Sequence, residues 1–380
     1  MIRSKIFFPI GAFYPSQIGG PCNTVYWHVK ELEKHQIRST VVTSMLGIKD
    51  KNIQGNSIIT SEQVDIHYQK SNLSWSTIKL IYSNIKSADL IHHNGLFNIP
   101  VTISLILWAI FSSDKKVICS VRGELNPNAL KFSHWKKQPT LLLYRLLYKK
   151  ILFHTTSAAE DIDVKNFFKG CKTVQIPNLM YPAKQIENIK KKKQFLFMGR
   201  IHEIKALHKF IKALALSKLF KDSDFIFDIT GTHEDRHQDY FNQLKKMITE
   251  LGLEEKVKFS GHITGNDKEI KYAESYFLIL PSETENFGNV VVEALNQKTP
   301  VLASLGTPWG ILEEYNCGIH SDNSPAELAK HIDQIISLNE IEYNNLCKNA
   351  SKLVDDKFNI TTQIDKWIKI YENLNHQIKK

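Results

Sequence analysis

The sequence predicts an α/β protein made of two doubly wound domains. Three observations point there. The chain has 380 residues, more than one simple core organises well. Short apolar, β-rich runs alternate with helical patterns in both halves, as in parallel βαβ units with helices on both sheet faces. Between the halves lies "LMYPAKQIENIKKKKQ" at 179–194, a polar, basic stretch containing Pro182 that reads as a linker.

The expected strands of the first half are 5–11, 39–44, 64–69, 89–94, 117–122, 152–157 and 173–178. Helical patterns fall between most of them, at 22–36, 74–86, 101–111, 140–150 and 159–168. After the linker the alternation restarts, with strands at 195–199, 225–231, 257–263, 276–282, 300–304 and 318–321. Helices are expected near 205–219, 235–251, 267–274, 288–297, 308–315 and 325–337. The tail is helical: Ile360, Ile364, Trp367, Ile368, Tyr371, Leu374 and Ile378 share one face. The resulting division is 1–180, a linker at 181–194, 195–360, and a final helix at 361–380. In doubly wound folds ligands bind at the carboxyl ends of the strands, here expected where the domains face each other.

Composition narrows the function classes. Hydrophobic residues are 42% and charged residues 23%, as in soluble globular proteins. The start, "MIRSKIFFPIGAFYPS", is interrupted by Pro9 and Gly11 and reads as a first strand, not a signal peptide. The apolar run "VTISLILWAIF" at 101–111 is about half the ~20 residues a bilayer requires and reads as a buried core helix. The 5 cysteines are scattered without a CxxC pair, which suits a reducing cytosol and excludes a disulfide framework or zinc ribbon. A net charge of +10 and pI near 9.1 admit nucleic acid, anionic membrane or phosphorylated substrate, but no nucleic-acid-binding motif accompanies them. The lysine run 190–193 reads as solvated surface.

The chemistry concentrates at strand ends. In "PSETENFGNVVVEAL" (281–295) a strand ends, a loop carries Glu285, and a helix opening near Gly288 carries Glu293. Free amides at a helix start bind anions, and a glycine there lets a ligand approach. Glu293 can accept from a vicinal diol such as a ribose, and Glu285 from hydroxyls of a sugar beyond the phosphates. In "FLFMGRIHEIKAL" (195–207) Arg200 and Lys205 follow a strand and are placed to reach one diphosphate. Gly19-Gly20 follows the first strand and fits close backbone approach to a ligand, although it is neither G-x-G-x-x-G nor a P-loop. His92, His93 and Asn94 end another strand and are expected to border the cleft, where they either orient an acceptor or make structural hydrogen bonds; without a third ligand a metal is not expected. Glu124, beside Arg122-Gly123, reads either as a base toward an acceptor hydroxyl or as an ion-pair partner of Arg122, with the ion pair preferred. The segment 138–157 reads as a core helix with a cationic last turn rather than a membrane-surface helix.

Taken together, "FMGR…K", "FSGHI", "LPSETENFGNVVVEAL" and "TPVLAS", with the "GG" after the first strand, "ADLIHHNG", "TTSAAEDI" and "IPN", resemble the retaining glycosyltransferases of family 4, the glycosyl transferases group 1. The resemblance spans essentially the whole chain. It implies a GT-B fold: two Rossmann-like domains facing across a cleft, with the last helix crossing back onto the first. It implies a nucleotide-sugar donor (UDP- or GDP-sugar), a glycan or lipid-linked acceptor, retained anomeric configuration, and neither metal nor other cofactor. Glu285 would hold the donor sugar, Glu293 the ribose, and Arg200 and Lys205 the diphosphate. Amides at Phe287, Gly288 and Asn289, with Asn286 beside them, would complete that site, and Gly19 and Gly20 would approach the phosphates. His93, Asn94, Arg122 and Glu124 would face the acceptor or sugar. "VRGELNPNALKFSHWKK" and "TPWGILEEYNCG" look like members that build bacterial surface polysaccharide, O-antigen or capsule. That places the expected site of action in the cytoplasm, at the inner membrane face, with peripheral binding to anionic lipid. The chain departs from the family pattern at Arg122, Asn94, Ala206, Asn286 and Lys298, none of which removes a charged donor-site residue. The alternatives are a sugar-nucleotide epimerase or hydrolase of the same fold, and a nonenzymatic basic binding module.

Overall fold

A computed structural model describes residues 5–16, 20–48, 50–131, 134–181 and 183–376. The chain divides into two compact units, Met1–Tyr181 with Ile360–Lys380, and Pro182–Asn359.

The first unit contains, in order, β1 (Lys5–Pro9), α1 (Gly20–Lys34), β2 (Arg38–Ser44), β3 (Ser57–Thr60), β4 (Val64–Gln69), α2 (Trp75–Ser87) and β5 (Leu90–Asn94). There follow α3 (Ile99–Phe111), β6 (Lys116–Ser120), α4 (Pro127–Lys131), α5 (His134–Leu147), β7 (Ile151–Thr155), α6 (Ala158–Phe167) and β8 (Lys172–Gln175). Among the described residues the sheet order is β3-β4-β2-β1-β5-β6-β7-β8. All pairs are parallel except the edge pair β3–β4, which is antiparallel. Side chains alternate across β1: Ile6 and Phe8 pack on one face with α1, while Phe7 packs on the other with Ile81, Leu105, Trp108 and Tyr144.

Helix α3 differs from the buried helix expected. Asn98 caps it and Pro100 fits its first turn. Val101, Leu105 and Trp108 are buried, yet Ile99, Ile106, Ile110 and Phe111 on its outer side are exposed.

The second unit contains β9 (Gln194–Met198), α7 (Leu207–Leu216), α8 (Lys218–Asp222), β10 (Ile226–Thr230), α9 (Gln238–Glu250), β11 (Val257–Gly261) and α10 (Gly265–Glu274). It continues with β12 (Phe277–Leu280), α11 (Asn289–Asn296), β13 (Val301–Ser304), α12 (Ile311–Glu314), β14 (Gly318–Ser321), α13 (Pro325–Ile336) and α14 (Glu340–Lys357). Its sheet, in the order β11-β10-β9-β12-β13-β14, is parallel throughout. The stretch 183–193, without helix or strand, is fastened to this unit. Asn296 donates to the Ala183 carbonyl at 2.7 Å, and the Lys192 amide donates to the Glu274 carbonyl at 2.6 Å. In the lysine run Lys190, Lys192 and Lys193 are exposed, as expected, whereas Lys191 is not. Lys191 donates to Thr299 Oγ1 at 2.6 Å, and burial pushes its amine down to about 8. Lys192 pairs with Glu274 at 2.5 Å.

The tail is two helices. After α14, Phe358 turns inward against Phe287 and Trp309, and α15 (Ile360–His376) begins two residues later. Helix α15 belongs to the first unit, where Ile360, Ile364, Trp367 and Tyr371 complete the core around Ile6, Phe8 and Val29. Ile378 lies outside the described residues.

A buried hydrogen-bond chain ties α15 down. His28 Nε2 lies 3.0 Å from the Tyr371 hydroxyl, which lies 2.8 Å from His92 Nδ1. His92 Nε2 lies 2.8 Å from Ser120 Oγ, itself 2.7 Å from His154 Nδ1, and His154 Nε2 meets the Ile176 carbonyl at 2.8 Å. A carbonyl only accepts, so the His154 proton sits on Nε2 and every link upstream is oriented. Ser120 donates to His154, His92 Nε2 donates to Ser120, Tyr371 donates to His92, and His28 Nε2 donates to Tyr371. Three neutral imidazoles satisfy the chain.

Candidate active site

In the second unit the strand order reverses between β9 and β12, whose carboxyl ends flank the point where doubly wound sheets bind ligands. Strand β9 runs into Gly199 and Arg200. Gly231, at the end of β10, lies so close that a Cβ there would sit 1.8 Å from the Gly199 carbonyl oxygen. Arg200 is exposed and pairs with Glu234 at 3.2 Å; Glu234 also pairs with Arg236 at 2.8 Å. His202 caps the 3-10 turn Glu203–Lys205, its Nδ1 accepting from the Ile204 amide at 3.0 Å. Ala206 then takes a left-handed conformation, φ 51°, and opens α7.

That turn presents Lys205 to Glu285. The two form an ion pair with each side chain only 18% exposed. The loops carrying them are fastened twice more: the Glu283 amide donates to the Ile204 carbonyl at 2.8 Å, and Lys209 pairs with Glu283 at 2.7 Å. From the other side the Glu285 amide donates to the Gly306 carbonyl at 3.0 Å. A Cβ at Gly306 would meet the Glu283 carbonyl oxygen at 2.2 Å, so only glycine lets these loops touch. Gly306→Ala is therefore expected to destabilise the second unit by roughly 1–3 kcal/mol and to displace Glu285. Urea denaturation checks the first effect and the affinity for nucleoside diphosphates the second.

Gly288, φ 78°, turns the chain into α11. A Cβ there would meet Glu285 Cγ at 3.1 Å and Leu280 Cδ2 at 3.2 Å. Phe287 points inward: its carbonyl accepts from Trp309 Nε1 at 2.5 Å and its ring packs on Trp309. Asn286 and Asn289 lie half-buried on either side. Glu293, five residues after the glycine, accepts from Lys268 Nζ at 2.9 Å through Oε1 and from the Tyr272 hydroxyl at 2.7 Å through Oε2. Lys268, Tyr272, Glu234 and Gly306 were not singled out from the sequence. Nothing local marks them, because each reaches Arg200, Glu285 or Glu293 from 21 or more positions away in the chain.

Among the described residues one group has metal-ligating side chains close together: His202, Glu203 and His237. His202 Nδ1 is engaged as an acceptor, so in the neutral ring Nε2 carries the proton and has no lone pair for a metal. A metal there would break the cap of the turn that carries Lys205. The five cysteines are free thiols.

The candidates of the first unit are arranged differently. Gly20 opens α1, whereas Gly19 lies outside the described residues. His92 and His93 do not border a cleft, because both are wholly buried. His92 belongs to the chain that holds Tyr371. His93 Nε2 meets Ser104 Oγ at 3.0 Å, and burial pushes its imidazole down to about 3. The acceptor contact expected of His93 thus has no exposed atom to make it. The ion pair expected between Arg122 and Glu124 is replaced by other partners. Arg122, at φ 60°, donates to Asn94 Oδ1 at 2.7 Å and Asn178 Oδ1 at 2.5 Å. Glu124 accepts from the amides of Leu96 and Phe97, the latter at 3.3 Å, and burial raises its pKa. Arg122 is thus held by the end of β5 and the segment after β8, with its Nε left unpartnered, and Glu124 by the loop after β5.

The family described as "Glycosyl transferases group 1" matches residues 182–353, which hold Arg200, Lys205, Glu285 and Glu293. The O-antigen chain mannosyltransferase RfbU of Salmonella typhimurium is 33% identical over 119 residues, 31% of this chain and 31% of that protein. The lipopolysaccharide core biosynthesis glycosyltransferase LpsE of Rhizobium meliloti is 27% identical over 235 residues, 58% of this chain and 64% of that protein. These matches thus span less than two thirds of either relative. Anabaena HepE, solved in complex with UDP and glucose, superposes with a TM-score of 0.73 at 19% identity, covering 98% of this chain and 100% of that one. The fold is GT-B, with two parallel-sheet α/β units. Residues 182–353 belong to the family of glycosyl transferases group 1.

Proposed function

We propose that the chain transfers a sugar from a UDP- or GDP-sugar to a glycan or lipid-linked saccharide, with retention of anomeric configuration, in the synthesis of a bacterial surface polysaccharide. The observation that carries this reading is the Lys205–Glu285 pair at the switch point, each side chain only 18% exposed, with Gly288 at the start of α11 close beside Glu285. The named roles of RfbU and LpsE support the polysaccharide setting.

The chemistry follows from charge. When the glycosidic bond to the diphosphate breaks, negative charge grows on the leaving oxygen. Lys205 and Arg200 stabilise that charge, with the amides of Phe287, Gly288 and Asn289, more in the transition state than in the ground state. Glu285 accepts from hydroxyls of the donor sugar and Glu293 from the ribose, so the carboxylates position rather than shuttle protons. The reaction needs no metal, because fixed cations supply the charge. Of the first unit, Gly20 at the start of α1 is the residue this proposal assigns to the donor phosphates, and Asn94, Arg122 and Glu124 those it assigns to the acceptor.

The site of action is the cytoplasmic face of the membrane. Among the described residues no helix is long and apolar enough to cross a bilayer. The neighbouring helices α2, α3 and α5 nevertheless expose Trp75, Ile110, Phe111, Leu142 and Leu146. Lys79, Lys86 and Arg145 stand on the same helices, a pairing of apolar and basic groups that suits anionic lipid.

Two experiments test the reading. A panel of UDP- and GDP-sugars, incubated with lipid-linked saccharides, should show depletion of one donor only when acceptor is present; depletion at equal rate without acceptor would instead indicate a hydrolase or epimerase. Vesicles containing phosphatidylglycerol should sediment the protein in a salt-sensitive manner, and Ile110→Glu with Leu146→Glu should weaken this at least ~10-fold. Equal sedimentation of the double variant would remove the membrane assignment.

A further inference from the structure

We infer that Tyr272 fixes Glu293 as an acceptor for two adjacent hydroxyls, so that the site selects ribonucleoside over 2′-deoxyribonucleoside diphosphate sugars. The inference rests on the ribose role of Glu293 proposed above.

The carboxylate of Glu293 is held from both sides. Its Oε2 accepts from the Tyr272 hydroxyl at 2.7 Å and its Oε1 from Lys268 Nζ at 2.9 Å. An ionised carboxylate offers about four lone-pair directions, two on each oxygen. With one taken on each oxygen, one remains on each, and the side chain stays 22% exposed to receive a ligand. Two acceptors on one carbon match two hydroxyls on neighbouring carbons. A 2′-deoxyribose fills only one and leaves the other oxygen desolvated without a partner, the situation in which polar sites discriminate most strongly.

Tyr272 is the fixed member of this arrangement. It is wholly buried in α10, and its own carbonyl accepts from Thr299 Oγ1 at 2.7 Å. Burial beside Glu293 pushes its phenol well above the usual range, so the hydroxyl keeps its proton and donates. Lys268 is partly exposed and also lies 3.9 Å from Glu269, so it balances charge without fixing direction. The terminal torsion of a glutamate is broad. Without the phenol, the carboxylate turns toward the ammonium and presents one oxygen instead of two.

The experiment compares UDP with 2′-deoxy-UDP, and GDP with 2′-deoxy-GDP, by calorimetry on the full chain. The wild-type protein should prefer the ribo form of its nucleotide by roughly 10- to 100-fold, the worth of one hydrogen bond to a charged group. Tyr272→Phe keeps the ring in the core. It should weaken the ribo form roughly 5- to 20-fold while changing the deoxy form less than about 2-fold, so the preference collapses. Lys268→Met should weaken both forms alike and keep the preference. If Tyr272→Phe retains the wild-type preference with an unchanged melting temperature while Glu293→Gln loses it, the role of Tyr272 is overturned and the ribose reading stands. If Glu293→Gln also retains the preference, the ribose reading itself falls. If wild-type protein binds neither nucleotide pair, both are overturned.

Discussion

Lys205→Met is expected to lower turnover by roughly 10²–10³-fold at saturating donor, the range seen when one fixed donor is removed from a developing charge. Lys205 is nearly buried against Glu285, where water screens little and the ammonium acts at close range. Its substitution removes a cation from the leaving diphosphate and also leaves Glu285 without its partner. The loss should therefore appear in kcat as well as in KM. Arg200→Met should be milder, because Arg200 is exposed and already shared with Glu234. Steady-state kinetics with the depleted donor checks the order. A Lys205→Met enzyme with wild-type kcat and only a raised KM would confine Lys205 to ground-state binding.

The second large effect concerns acid stability of the first unit. His28, His92, His93 and His154 are all buried, and burial depresses each imidazole, His93 and His154 to about 3 and the other two well below 6.5. In the unfolded chain the same groups protonate near pH 6.5. The unfolded state thus binds more protons as pH falls, so stability is full above about pH 6.5 and declines from there toward about pH 3. Each group contributes on the order of 1.4 kcal/mol per pH unit over that window. Calorimetric melting should show a transition, assigned to the first unit, that moves steeply down between pH 6.5 and 4.5. Tyr371→Phe strands the His28 donor and the His92 acceptor, and should cost roughly 2–5 kcal/mol at neutral pH. A pH-independent melting profile would contradict the buried neutral histidines.

Much of the fold was legible because its strands are continuous runs of Val, Ile, Leu and Phe, the mark of parallel sheets covered on both faces. Strand β3 escaped, since "SIIT" is four residues at an exposed antiparallel edge with no core face to impose a pattern. Helix α3 was read as buried because apolar residues cover its whole circumference, and composition alone does not say which side meets solvent. In the candidate site, the residues that follow a strand end were legible: Arg200, Lys205, Glu285, Glu293. What holds them was not. Lys268 and Tyr272 lie on an ordinary polar helix, and only the folded sheet brings that helix beside α11. "IHHN" was half legible: structural hydrogen bonding was one of its two readings and holds, whereas the cleft-bordering position expected of its histidines does not, because both are buried. It looks like chemistry, but its histidines are structural donors and acceptors inside the first unit.

Helix α15 has a consequence for how the protein is made. Its residues Ile360, Ile364, Trp367 and Tyr371 are part of a core whose other members begin at Ile6. On the ribosome the second unit can be complete while the first still lacks a wall. Domains usually fold in the order of synthesis; here the first to emerge is the last to finish. A nascent chain halted near residue 359 would display the open side of the Ile6–Phe8 layer to chaperones and proteases. Nonsense or frameshift changes close to the carboxyl terminus should therefore destroy the amino-terminal unit, while the unit that immediately precedes them stays folded.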